Sequence, residues 1–232
     1  MGAFQEIQQS PKFRGKNLSD QVHEYIKSMI LKNEIKPDEK IPEERIAAQL
    51  GVSRTPIREA VRVLAAQGLV RIYPNRFAEV VSFSQKEIED IGFLRINLDA
   101  IAVQYAIQYG SNADFLRLKS IADECKAAAL AGDVYNRIKK DCDFHIELTR
   151  IGKNETLLRM QQDLYLKIHL IQATKYLDVE DSLKKIEHHD LIVQYLIQRD
   201  VDKVLDSLYK HLSSFYNISI KEFRLCRFDQ SS

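Results

Sequence analysis

Four residues in the second half of the chain, Asp141, His145, His189 and His211, have the types and spacing to hold a divalent transition metal. Asp141 and His145 stand at i and i+4 in a helix-period segment, with Ile138 and Leu148 on the same face, so a carboxylate and an imidazole lie side by side on a face expected to be buried. His189 interrupts the apolar stripe Ile186, Val193, Leu196, and His211 interrupts Val204, Leu208, Phe215, Ile218. Buried polar groups need partners. One carboxylate and three imidazoles from three helices can satisfy one another around an ion. Each histidine alone reads as well as a core residue hydrogen-bonded to a carbonyl; the four together favour a metal. The same set also describes a catalytic metal centre, but no further carboxylate stands at a spacing that makes it a general base. His188 points about 100° away from His189 and reads as a solvated neighbour, Cys142 faces away from Asp141, and His23 and His169 are assigned no role.

A second chemistry-bearing group lies near the N-terminus. Arg54 and Arg58 are four residues apart at the start of a segment whose other face carries Ile57, Ala60, Val61 and Leu64, and Arg62 extends the basic side. Guanidinium groups on the first turns of a helix match guanine O6/N7 in a major groove, and Ser53 and Thr55 suit phosphates. A solvated amphipathic helix would show the same pattern. Charge placement supports the first reading: Arg54, Arg58, Arg62, Arg71 and Arg76 are opposed within their segment only by Glu59, although the whole chain carries a net charge of +1.

The elements that must position these groups are legible from periodicity. Helices are expected at Leu18 to Leu31, capped by Asn17 or Ser19, at Glu43 to Leu50 after Pro42, and from Ser53 or Thr55 to Gly68. Leu69 to Tyr73 and Phe77 to Val81, joined by Pro74-Asn75-Arg76, read as a β-hairpin. Beyond the capping-box pattern Ser84-x-x-Glu87, six helices are expected, near 85–109, 114–131, 134–151, 155–176, 180–199 and 201–224. The fold class is therefore mainly α. An N-terminal winged helix-turn-helix of three helices and a hairpin wing (17–82) follows a short extension (1–16) and precedes an all-α antiparallel helical bundle (83–228).

Composition bounds the rest. A chain of 232 residues with 45% hydrophobic and 29% charged residues suits two globular domains, and no apolar run approaches a membrane span. The polar first 16 residues and three cysteines without CxxC spacing (Cys125, Cys142, Cys226) lead to the expectation of a reducing cytoplasm.

The run Glu43 to Ala60, with LGVSRTPIREA at residues 50–60 and L-x-x-x-G-L-V at 64–70, resembles the GntR family of bacterial transcription regulators. The resemblance implies that Arg45, Ser53, Arg54, Thr55 and Arg58 contact DNA, and that the wing tip with Asn75 and Arg76 reaches the minor groove. Where many relatives carry Gly after Asn-Arg, this chain has Phe77. Asp141-x-x-x-His145, His189 and His211 are similar to the ligand set of the FCD domain of the FadR-type subfamily, which implies zinc or nickel with open positions for water or an effector carboxylate. Arg95-x-x-x-Asp99 looks like that group's R-x-x-L-E helix, which implies an effector pocket at Arg95 and Asp99. The other reading of that pair is an exposed i,i+4 ion pair. Gly92, Ala102 and Ala106 lie on the same face and could leave a cavity. The resemblance implies a nucleoid-associated homodimer on a short palindromic operator, responsive to a small carboxylate. The rival readings are a metal-dependent enzyme and a constitutive DNA-binding protein whose polar cluster is structural.

Overall fold

The computed structural model describes residues 17–74, 76–175 and 179–219, and the chain divides after Ser82 into two compact units. The first unit holds α1 (Leu18–Leu31), α2 (Glu43–Leu50), α3 (Arg54–Ala66), β1 (Val70–Tyr73) and β2 (Phe77–Val80). The Asn17 side chain caps α1 by accepting from Asp20 N at 2.8 Å. Gly51 turns the chain between α2 and α3 with φ +65°, a conformation that only glycine adopts without cost. One apolar face from each helix, Val22, Ile26 and Ile30 of α1, Ile46 and Leu50 of α2, Ile57, Ala60 and Leu64 of α3, closes a core with Leu69 and Val80. The strands pair antiparallel with Val70 opposite Val80 and Tyr73 opposite Phe77, and Lys40 bridges the outer side of β2 at Glu79.

The second unit is a bundle of six described helices: α4 (Gln85–Tyr109), α5 (Asn112–Leu130), α6 (Val134–Ile151), α7 (Glu155–Thr174), α8 (Val179–Ile197) and α9 (Val201–Tyr216). Helix starts carry side-chain caps from Ser84, Ser111, Asp133, Asn154 and Asp200, the first two as full capping boxes. The long α4 packs against α6, α7, α8 and α9, which brings four helix faces to one interior. The fold class read from the sequence, a winged helix-turn-helix followed by a helical bundle, is the one observed.

Two expectations need correction. The last helix ends at Tyr216 rather than near residue 224, because Asn217 takes the left-handed conformation (φ 56°) and its N–H closes on Ser213 O. The small residues of α4 do not leave a cavity. A Cβ on Gly92 would lie 2.2 Å from Tyr216 Cγ and 2.3 Å from Tyr216 Cβ, so the tyrosine ring occupies the space that glycine vacates, and Ala102 and Ala106 are packed in the core. The extension 1–16, the end of the second domain at 228 and the wing residue Asn75 lie outside the described residues.

Candidate DNA-reading face and metal centre

In the first unit, α3 begins at Arg54 with Ser53 in N-cap position, yet the Ser53 hydroxyl makes no capping bond. Ser53, Arg54, Thr55 and Arg58 are exposed at this end of the helix. Pro56 and Ile57 between them are buried and anchor the first turn. A concavity of about 1000 Å³ opens between the helices and the wing, lined by Arg45, Arg54, Arg58, Arg62 and Arg76 together with Tyr73 and Phe77. Five guanidinium groups thus face one surface. Glu59, the acid of this basic segment, is turned to α1, where it accepts from the Ser19 hydroxyl. The acids that oppose the arginines come from the first turn of α2: Arg54 lies 3.1 Å from Glu44 and 3.9 Å from Glu43, and Arg58 lies 3.7 Å from Glu43. Such pairs, whose arginines are more than half exposed, contribute at most about 1 kcal/mol each and yield to phosphate or a base edge. Phe77 enters β2 without left-handed backbone, its ring 4.7 Å from that of Tyr73 and under Lys40 Nζ at 4.2 Å. A bulky residue therefore fits this wing where glycine is common.

In the second unit, the ligand atoms of Asp141, His145, His189 and His211 lie within 4.8 Å of one another, and all four residues are buried. Asp141 and His145 come from consecutive turns of α6, His189 from α8 and His211 from α9. His211 Nε2 stands 3.2 Å from His145 Nε2, 3.1 Å from His189 Nε2 and 3.4 Å from Asp141 Oδ1, which is itself 3.3 Å from His189 Nε2. Metal bonds of about 2.1 Å place neighbouring ligand atoms about 3.0 Å apart at right angles and about 3.4 Å apart at the tetrahedral angle, so the four separations suit one shared ion.

The outer partners orient the rings. His211 Nδ1 meets the Lys185 carbonyl at 3.1 Å, and His145 Nδ1 stands 3.0 Å from Asp99 Oδ2. The carbonyl takes the His211 Nδ1 proton, and the Asp99 carboxylate attracts one to His145 Nδ1 by charge, since that contact lacks hydrogen-bond alignment; with both protons on Nδ1, two Nε2 lone pairs would face each other at 3.2 Å. A cation relieves that repulsion. Asp99 is held in turn by Tyr165 Oη at 2.8 Å and Gln161 Nε2 at 2.9 Å, and Gln161 accepts from Thr149 Oγ1. Asp141 keeps Oδ2 for Gln172 Nε2 at 2.8 Å and Arg95 Nη2 at 3.3 Å. Arg95 also donates to Tyr165 Oη at 3.2 Å and Tyr216 Oη at 3.1 Å, and its Nε lies 3.7 Å from Asp99. Arg95 and Asp99 are only 2% and 0% exposed, which rules out the exposed ion pair. Asp99 stands behind His145, whereas Arg95 lines a cavity of about 30 Å³ with Arg137, Asp141, Gln172, Lys185 and His211.

Sequence reasoning passed over Gln161, Tyr165 and Gln172, which form one polar line along α7 at helical spacing, and Arg137 and Lys185, which stand four residues before Asp141 and His189. That i−4 relation was the available signal.

The electrostatics follow from enclosure. Burial would raise the Asp141 pKa, yet its contacts with His189 and His211 and the charge of Arg95 hold it well below the ordinary carboxylate value. Burial, then His189, pushes His211 down to about 3, and burial lowers His189 as well. His189 and His211 are thus neutral and ready to ligate. In chelator-treated protein the unfolded His211 takes a proton near its ordinary value of about 6.5 while the folded one refuses it until about 3. Stability falls as pH drops through that window. At pH 5 the loss from His211 alone is expected to be about 2 kcal/mol, read as a lower urea midpoint than at pH 7, with Asp141 adding its share only below about pH 4. Equal midpoints at the two pH values would contradict the assignment of a neutral buried imidazole.

Comparison with known proteins places both units. The model of the FCD domain matches residues 90–214, and that of the bacterial regulatory proteins of the gntR family matches residues 18–80. An uncharacterized HTH-type transcriptional regulator of Bacillus subtilis, YdhC, is 25% identical over 83% of this chain and 87% of its own length. The Nta operon transcriptional regulator of Aminobacter aminovorans is 28% identical over 82% of this chain and 90% of its own. Among solved structures, McbR/YncC of E. coli superposes with a TM-score of 0.76 over 90% of this chain and 98% of its own at 20% identity, a likeness of fold. The matched families and relatives are transcriptional regulators, not enzymes.

Proposed function

Since the chain belongs to the GntR family of DNA-binding transcriptional regulators, with an FCD domain as its second unit, we propose that a divalent metal and a small carboxylate beside it control its affinity for DNA. Asp141, His145, His189 and His211 hold the ion, zinc or nickel, and Asp99 and the Lys185 carbonyl orient two of the rings. The observation that carries this reading is the convergence of three imidazole Nε2 atoms and a carboxylate in a buried site. When bound, the ion would supply a positive centre that attracts a carboxylate oxygen. Arg95 sits on the wall beside it, and Asp99 acts on the effector through His145.

On the output side, Arg54 and Arg58 read base edges, Arg45, Ser53 and Thr55 hold phosphates, and Asn75 and Arg76 of the wing reach the minor groove. Two copies form a homodimer in the bacterial cytoplasm, on the nucleoid, and match a short palindromic operator. The effector must bind the DNA-competent and incompetent states with different affinity, since equal affinity shifts no population. Among the described residues no helix is long and apolar enough to cross a membrane.

The test combines elemental analysis of the purified protein with anisotropy titrations of palindromic DNA from its own promoter region, with and without chelator. One ion per chain, and DNA affinity that changes when carboxylates are added to metal-loaded protein, are expected. Absence of sequence-specific binding would overturn the output side; absence of metal would leave a constitutive regulator with a structural polar cluster, a reading to which the small size of the cavity gives some weight.

A further inference from the structure

We propose that the effector is a dianion, a short dicarboxylic acid, with one carboxylate at the metal and the second held by Arg137 and Lys185. The proposal rests on the metal-and-carboxylate reading above and adds the chemical class of the ligand. Three cationic side chains, Arg95, Arg137 and Lys185, line the cavity against the single carboxylate of Asp141. Arg95 is matched there, through Asp141 and two tyrosine hydroxyls. Arg137 is not. It is only 7% exposed, and no described carboxylate lies within ion-pair distance of it. Its neighbours in the same helix, Lys139 and Lys140, pair with Asp143 and Glu124, and Lys184 beside Lys185 pairs with Glu180 at 2.8 Å. Lys185 makes no ion pair within 4 Å among the described residues, and its Nζ lies over the face of Phe215, 4.9 Å from the ring centroid.

A buried guanidinium without a carboxylate is costly unless something supplies one. A metal ion adds positive charge to the same wall, so a monocarboxylate would leave the excess standing. A second carboxylate removes it and forms charge-assisted bonds with the planar Arg137 fork. A cavity of about 30 Å³ has room for little more than a water, so the acid must move part of the wall. Lys185, half-buried while Arg95, Asp141 and His211 are fully enclosed, is the side chain with room to swing. Its movement onto the ligand gives the bound state contacts that the free state lacks, which a switch requires.

The experiment is isothermal titration calorimetry on metal-loaded full-length protein, with succinate and glutarate against butyrate and propionate. The dicarboxylates are expected to bind about tenfold or more tightly than the monocarboxylates. Arg137→Gln and Lys185→Gln are each expected to shrink that ratio by weakening the dicarboxylates more than the monocarboxylates, with metal content unchanged. Equal affinity for the two classes, or a ratio that survives in both variants, overturns the proposal while leaving the metal-and-carboxylate reading intact. Binding of neither class by protein that does hold metal brings down both. Should Arg137→Gln fail to fold, the half-exposed Lys185→Gln carries the comparison alone.

Discussion

Asp141→Ala is expected to destabilise the protein by about 3 to 5 kcal/mol and to abolish stoichiometric metal binding. The carboxylate is buried and serves two neighbourhoods at once, Oδ1 toward His189 and His211, Oδ2 toward Arg95 and Gln172. Its removal strands the Arg95 guanidinium, 2% exposed, without its nearest anion. Breaking a buried pair from one side costs more than the pair ever contributed, because the remaining charge keeps its desolvation penalty. Asp99 at 3.7 Å and the hydroxyls of Tyr165 and Tyr216 still face Arg95, which places the loss toward the lower end of the range. Urea unfolding with and without chelator separates the two effects. The unsubstituted protein should lose stability on chelation, and the variant should be insensitive to it. A variant that unfolds within about 1 kcal/mol of the parent and retains one ion per chain would refute both the ion pair and the ligand assignment.

How far the site was legible in the sequence depends on what surrounds each residue along its helix. His145, His189 and His211 stood out because each interrupts an apolar stripe, and a polar residue on such a stripe is anomalous wherever the helix packs. Gln161, Tyr165 and Gln172 did not, because an amide and a phenol at helical spacing look the same facing water as facing another helix. What turns them inward is the crossing of α4 and α7, which sets Tyr165 Oη 2.8 Å from Asp99, a residue of another helix, and no local pattern encodes that crossing. The Gly92 error has the same origin. Small residues signal close approach, but whether a ligand or a distant side chain approaches is decided by tertiary contact, and here Tyr216 fills the space. Asn217 is different: an asparagine just past the last periodic residue is a local stop signal, and the end of α9 could have been read from it.

Arg58→Ala is expected to cost about 1 to 3 kcal/mol of operator affinity, roughly a 5- to 150-fold weaker Kd, while leaving the fold intact. Its side chain is 61% exposed and its closest acid, Glu43, is 3.7 Å away, so little native stability depends on it. The loss should be sequence-dependent. A guanidinium that reads a base edge discriminates, and its removal brings specific and nonspecific binding closer together; one that only touches phosphate weakens every sequence alike and lowers the salt slope by about one. Arg45, exposed on α2 and lining the same concavity, supplies the contrast, since Arg45→Ala is expected to behave as the phosphate contact. Anisotropy titrations of each variant against the operator and a scrambled duplex at two salt concentrations distinguish the roles. If Arg58→Ala weakened both duplexes equally, α3 would be gripping the backbone rather than reading the groove, and sequence recognition would have to come from Arg54 or from the wing.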